Sequence, residues 1–224
     1  MNVVITGASR GIGFELANLF LDEGHKVLAI SRNKEKLTAL KNKGASILPF
    51  DLCEESFTPI QTALDSIGGN VDILINNAGA LVNKPFSKLT NEEIKHVYNV
   101  NVFSIIKLTR DLMPSFNDDA HVVNISSVGG VQGSVKFPGL SVYSSSKGAL
   151  TILTECLAEE FKDTNYSFNT LALGAVQTEM LQEAFPDYKA DVSPRQMATF
   201  IYRFAVEDGK LFNGKTITVS SSTP

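Results

Sequence analysis

Short apolar runs recur along this chain, and between them the apolar positions move to a spacing of three and four residues. The runs 2–6, 26–31, 47–50, 71–75, 121–126, 167–173 and 216–219 read as strands. The run at 71–75 is almost wholly apolar, as a strand covered on both faces of a parallel sheet must be. Helical patterns fill the intervals. Leu16, Leu19 and Phe20 mark one stripe, residues 34–43 form a polar helix, and Ile60 and Leu64 mark a third. Thr90-Asn91-Glu92-Glu93 is a capping-box pattern, in which Thr and Glu satisfy orphan backbone donors. It opens a helix predicted over 91–113, with Pro114 as its stop. A helix over 143–163 carries Leu150, Leu153, Leu157 and Phe161 on one stripe, and Ser193-Pro194 starts another with Ser as cap and Pro in the first turn. This alternation predicts an α/β fold, a doubly wound parallel sheet in three layers. No repeat, linker or low-complexity segment interrupts it, so 1–224 is expected to be one domain.

Length and charge then narrow the function classes. A chain of 224 residues can bury a substantial core. A net charge of −4 offers no basic footprint, which argues against nucleic acid and anionic membranes as partners. No apolar run approaches the ~18 residues of a membrane span. Met1 leads straight into the first strand, leaving no room for a targeting peptide, and a cytoplasmic location is expected. Cys53 and Cys156 match no metal or redox spacing and read as small packing residues. His25, His96 and His121 make no metal constellation, and no metal site is expected.

The candidate chemistry sits in the turns and at one helix start. Tyr143 and Lys147 are four residues apart and project from one helix face. A Lys charge there favours the phenolate and predicts a Tyr143 pKa below the usual ~10, suited to proton exchange with an alcohol or carbonyl oxygen. Gly7, Gly11 and Gly13 punctuate the turn between the first strand and its helix. There the backbone can approach a pyrophosphate, and helix N–H groups face it. Asn76-Asn77-Ala78-Gly79 follows the fourth strand at the edge where ligands of open parallel sheets bind. The Asn pair can also serve to tie loops together. Asp51, after the third strand, can accept from an adenine amino group or cap the next helix. Ser127 ends the fifth strand. Asn101 lies inside the long helix, where its low propensity suggests a hydrogen-bonding duty unless it simply faces solvent.

Taken in order, Thr6-Gly7 with Gly11-Ile12-Gly13, Asn76-Asn77-Ala78-Gly79, Asn101, Ser127, and Tyr143 with Lys147 resemble the short-chain dehydrogenase/reductase family over almost the whole chain. The resemblance implies a single Rossmann domain and an NAD(P)-linked oxidoreductase that interconverts a carbonyl and an alcohol. It implies Tyr143 as proton donor or acceptor, and Ser127 as the residue holding the substrate oxygen. Lys147 is implied to bind the nicotinamide ribose, and Asn101 to anchor a water linking Lys147 to solvent. Cofactor contacts are implied for Gly7, Ser9, Arg10, Gly11, Ile12 and Gly13, for Ser31, Arg32, Asp51 and Leu52, for Asn77, Ala78 and Gly79, and for Gly174, Val176 and Thr178. The short segment around 178–193 is implied to line the substrate side, and its apolar residues suit a small or partly hydrophobic compound.

An NAD-preferring loop places an acid about 20 residues beyond the glycines to grip the ribose 2′-hydroxyl. Here that place reads Ile30-Ser31-Arg32-Asn33, so NADP(H) is expected over NAD(H), with Arg32, Ser31 and Arg10 on the 2′-phosphate. The chain departs from the family in three places. Leu173-Gly174 stands for the usual Pro-Gly, the glycine-rich loop between Ser127 and Tyr143 is longer, and the tail 220–224 lacks the usual Gly-Gly. The alternative function is a nucleotide-binding sensor without turnover, and intact Tyr143 and Lys147 argue against it. A homodimer or homotetramer is expected, because the helix over 91–113 carries Val97, Val100, Phe103, Ile106 and Leu112, a surplus over one core stripe.

Overall fold

The computed structural model describes residues 1–220. The part of the tail at 221–224, on which the Gly-Gly comparison falls, lies outside the described residues. The strands are β1 (Asn2–Thr6), β2 (Lys26–Ser31), β3 (Ser46–Pro49), β4 (Val71–Asn76), β5 (Phe116–Ser127), β6 (Ser167–Leu173) and β7 (Lys215–Val219). They form one seven-stranded sheet in the order β3-β2-β1-β4-β5-β6-β7. Every neighbouring pair is parallel. After β3 the chain returns to lay β4 beside β1, so a switch point opens between the carboxyl ends of β1 and β4. Crevices at such points are where doubly wound sheets bind ligands.

The five inner strands are buried on both faces, the edge strands β3 and β7 only partly, and alternate residues enter different cores. Val3, Ile5, Ala29, Ile75, Val123 and Leu171 pack toward α1 (Gly11–Asp22), α2 (Lys34–Asn42) and α8 (Pro194–Val206). Val4, Leu28, Leu74, Val122 and Phe168 pack the other way, against Ile60 and Leu64 of α3 (Thr58–Leu64) and Leu108 and Leu112 of α5 (Ser104–Leu112). The three-layer doubly wound fold read from the apolar rhythm is the fold observed.

The helix predicted over 91–113 is not continuous. α4 (Asn91–Tyr98) opens with the full Thr90/Glu93 capping box. A π-helical turn, Asn99–Phe103, follows, and α5 resumes at Ser104. Single π turns within α-helices are frequent at functional sites. β5 begins at Phe116, earlier than read, because polar Asn117-Asp118-Asp119 hides its first half and its register against β4 shifts between Val71 and Ile73.

α6 (Ser141–Glu160) starts two residues before Tyr143, and its core face differs from the predicted leucine stripe. Its buried side is Val142, Ser146, Lys147, Leu150, Thr151, Thr154 and Ala158, with Leu153 and Leu157 only half-buried. The reason is close approach. A Cβ on Gly148 would stand 3.1 Å from the Gly130 carbonyl oxygen, and Thr154 Oγ1 meets Thr170 Oγ1 at 2.7 Å, so small and polar residues fit where leucines would not. Cys53 and Cys156 are exposed rather than packed. Among the described residues no helix is long and apolar enough to cross a membrane.

Candidate active site

Thr6, the last residue of β1, organises the switch point. Its Oγ1 accepts from the N–H groups of Asn77 and Ala78, both at 3.0 Å. Asn77 answers by donating its side-chain amide to the Thr6 and Gly7 carbonyls at 3.0 and 3.3 Å. The loops after β1 and β4 are thereby locked together, so Asn77 has the tying role. Gly7 (φ +68°) permits this, since a Cβ there would stand 2.9 Å from Ala78 Cα. A Cβ on Gly13 would collide with Asn77 Nδ2 and the Gly7 carbonyl. Asn76 points the other way. Buried, it donates to Asn124 Oδ1 at 2.8 Å, and Asn124 in turn donates to Thr154 at 2.9 Å. This polar ladder beneath the site carried no signal in the sequence beyond isolated Asn and Thr in apolar strands.

A cavity of about 600 Å³ runs along the carboxyl edge of the sheet. Its wall includes Gly7, Ser9, Arg10, Gly11 and Ile12 from the first turn, Ser31 and Arg32 after β2, and Asp51 and Leu52 after β3. It continues through Asn77, Ala78 and Gly79, then Ser127, Tyr143 and Lys147, and Gly174, Val176 and Thr178. Of the residues expected at the site, Gly13 and Asn101 stand behind the wall. Sequence reasoning missed Ile30 and Phe50 at the strand ends, and Leu81, His96, Val100, Phe137 and Leu140 on the opposite side. Nothing local marked them, because ordinary residues such as these become cavity wall only through the packing of distant loops.

At the floor of the cavity, the Ser127 side chain stands close enough to Tyr143 to act on its pKa, and its hydroxyl accepts from Gly129 N–H at 3.3 Å. Lys147, 3% exposed, donates Nζ to the Ile125 carbonyl at 2.8 Å and lies 5.9 Å from the centre of the Tyr143 ring. Burial pushes the Lys147 pKa down to about 8. It pushes Tyr143 up to about 12, against a smaller opposing effect from Ser127. The expected lowering of Tyr143 by Lys147 is therefore corrected. The Lys147 head is turned to a β5 carbonyl, and withholding water from the phenolate outweighs any help from the cation.

Asn101 does not face solvent; it is fully buried in the π turn. Its Oδ1 accepts from Ala80 N–H at 2.8 Å, and its Nδ2 donates to the Ala80 carbonyl and to Ser146 Oγ, both at 2.9 Å. The side chain thus splints the loop after β4 to α6, with both amide hydrogens engaged and one bond accepted by its oxygen.

At the far end, Ser31 Oγ donates to Ser9 Oγ at 2.8 Å. Arg32 is exposed beside them and forms no ion pair among the described residues. Asp51 accepts from Cys53 N–H at 3.0 Å, which closes a turn ahead of α3 rather than capping that helix. Arg10 is engaged elsewhere, in a two-pronged ion pair with Glu183 whose second hydrogen bond measures 3.0 Å. Glu183 belongs to α7 (Glu179–Ala184), a short helix that the sequence pattern did not reveal, capped by Thr178, whose Oγ1 accepts from Leu181 N–H at 3.2 Å.

Comparison with known proteins gives this arrangement its lineage. The family model for short chain dehydrogenase matches residues 1–189. A ketoacyl reductase, HetN, of Nostoc sp. is 36% identical over 189 residues, covering 80% of this chain and 64% of that protein, so this chain spans less than two thirds of that relative's length. A carbonyl reductase [NADPH] 2 of Sus scrofa is 29% identical over 180 residues, covering 80% of this chain and 73% of the relative. Among solved structures, 4-hydroxyisoleucine dehydrogenase complexed with NADH superposes with a TM-score of 0.87 at 25% identity, covering 99% of this chain and 97% of the other. A 3-ketoacyl-(acyl-carrier-protein) reductase from Brucella melitensis complexed with NADH superposes with a TM-score of 0.85 at 26% identity, covering 97% and 96%. With a parallel sheet of this order, a glycine turn locked to the loop after β4, and a family match over most of its length, the chain belongs to the short-chain dehydrogenase family of oxidoreductases.

Proposed function

We propose that residues 1–224 act as one unit that interconverts a carbonyl and an alcohol with NADP(H), using Tyr143 as the proton-transfer group. The observation that carries this reading is the meeting of Ser127, Tyr143 and Lys147 at one point of the cavity that also contains the glycine turn. The cavity residues suit a dinucleotide. The backbone of Gly7–Ile12 and the start of α1 offer N–H groups to a pyrophosphate, and Ile30, Phe50 and Leu52 form an apolar slot for a flat base. Such a cofactor supplies the hydride.

The chain's own residues do the rest. Hydride arriving at a carbonyl carbon leaves negative charge on oxygen, and positioned hydroxyl donors stabilise that charge. In this reading Ser127 holds the oxygen, and Tyr143, protonated at neutral pH, gives it a proton. In the reverse direction Tyr143 must accept one. Lys147, held between Ile125 and the Tyr143 ring, then lowers the cost of the phenolate whenever its own proton is on.

The cofactor preference rests on charge. The end of β2 presents Ser31 and Arg32 with no carboxylate, and Arg32 is unpaired among the described residues, so a 2′-phosphate gains a cation and a ribose hydroxyl gains no acid. Both cofactors occur among the relatives, one named a carbonyl reductase [NADPH] and two with structures complexed with NADH, so this chain's own residues must discriminate. Catalytic efficiency with NADPH and with NADH on one substrate is the deciding measurement. NADPH should win, and Arg32→Asp should reverse or abolish the preference; equal values in the unmodified protein would refute it.

A further inference from the structure

The cavity is electrically divided, and the division identifies what enters it beside the cofactor. Its charged wall residues are Arg10, Arg32, Asp51, Lys147 and Glu179. Arg10 sits in the turn after β1, and Arg32 and Asp51 follow β2 and β3, all on the cofactor half of the sheet. The Glu179 carboxylate faces the same half, 3.5 Å from where a Cβ on Gly11 would stand. Lys147 is turned to the Ile125 carbonyl.

Beyond Tyr143 the wall is mainly apolar and includes Leu81, Phe137, Leu140, Leu181, Phe185 and Tyr188, with the uncharged hydroxyl of Ser144 among them. These come from three segments that are joined to one another. Lys84 N–H donates to the Gly139 carbonyl at 3.0 Å, and Asn83 Nδ2 donates to the Ala184 carbonyl at 2.9 Å. Gly139 (φ +85°) is required there, because a Cβ would strike the Asn83 side chain. Of the lysines near these segments in sequence, none is part of the wall: Lys84 is taken by Glu93 at 2.9 and 3.0 Å, Lys136 donates to the Val131 and Ser134 carbonyls at 2.7 and 3.1 Å, and Lys189 is exposed. The one imidazole on the wall, His96, lies on an exposed position of α4.

From this division, and resting on the carbonyl–alcohol reading above, we infer that the substrate is an uncharged ketone or aldehyde with an apolar chain or ring, and that small oxo acids and hydroxy acids are excluded. A carboxylate pushed past Tyr143 would lose water to a wall that returns no cation, a penalty that apolar contacts elsewhere on a small molecule cannot offset. A neutral chain entering the same arm gains with every methylene it buries.

The test uses the purified full chain with saturating NADPH and, separately, NADH. Methyl ketones from butanone to octanone are compared with α-oxo acids of the same chain lengths. Expected is a rise in kcat/KM of about fourfold per added methylene until the arm is filled. Each acid should lie at least about 100-fold below the ketone of equal length. Acids as good as ketones, or a flat chain-length profile, would overturn the inference. If neither series turns over, the carbonyl–alcohol reading fails. Calorimetry of the same compounds on the cofactor-loaded protein then decides the class, with tighter ketones sustaining the inference and tighter acids overturning it. Phe185→Arg, or Leu181→Lys should the first not fold, places a cation in the arm and should shift the acid-to-ketone ratio at least about tenfold toward acids. An unmoved ratio in both variants overturns the placement of the arm.

Discussion

Burial leaves Lys147 holding its proton only to about pH 8, beneath a phenol that keeps its own to about 12. At neutral pH Tyr143 is thus an acid ready to donate, and its loss should be specific. Tyr143→Phe keeps the ring and removes the hydroxyl, so turnover should fall by ~10²–10⁴-fold while cofactor affinity, read by fluorescence titration, barely changes. A variant within a few-fold of the unmodified protein would refute the role. Lys147 makes a pH prediction. If its ammonium grips the cofactor, affinity should decline as pH rises through about 8, and Lys147→Ala should bind weakly with no such step. The stability consequence has a definite sign. Between about 8 and 10.5 the unfolded chain holds the Lys147 proton and the folded chain does not, so stability should rise with pH across that window. Urea unfolding of the unmodified protein against Lys147→Met isolates it.

Two secondary-structure features that a helical pattern does not show shape the site. The π turn Asn99–Phe103 turns Asn101 inward, where it holds both backbone groups of Ala80 and Ser146. Asn101→Ala would leave those buried groups unmatched, at a cost of about 1–3 kcal/mol, and would loosen the loop that carries Gly79. Urea unfolding should show the loss, and KM for the cofactor should rise with it; an unchanged midpoint would mean the splint is dispensable. The other feature is α7. Its Glu183 occupies Arg10, the residue expected on the 2′-phosphate. The pair is exposed, so it is weak and exchangeable, and a phosphate can take the guanidinium from it. Glu183→Gln should therefore tighten NADPH a few-fold and leave NADH unmoved. Equal shifts for both cofactors would show that Arg10 does not read the phosphate.

The assembled molecule leaves apolar side chains outside. Val97 and Leu112 from the expected oligomer surface are buried in the core, but Phe103 is 52% exposed and Ile106 38% exposed. Ile152, 58% exposed, stands on α6, which packs beside the π turn. A homodimer or homotetramer using these two helices is the expected state, since an apolar patch of this kind suits an isologous interface. Sedimentation at micromolar concentration should show it, and Ile152→Glu with Phe103→Glu should return a monomer. A monomeric unmodified protein would refute it.

Strands, their parallel class, the glycine turn and the helix caps were legible because each is encoded within a few neighbouring residues: apolar runs, a Gly that takes positive φ, a Thr three residues before a Glu. Asn101, Ser127, Tyr143 and Lys147 were singled out as a set by resemblance to a family; the structure brings Ser127, Tyr143 and Lys147 to one cavity and sets Asn101 behind its wall. Orientation and electrical state were not legible. Whether Lys147 lowers a neighbour's pKa depends on the β5 carbonyl that its ammonium meets and on how much water the packed sheet excludes. The leucine stripe of α6 gave way to Thr154 and Ala158 because Gly130 and Thr170, far away in the chain, approach that face. Arg10 finds Glu183 across 173 residues of sequence. Contacts of that kind follow from how layers stack, and no local pattern contains them.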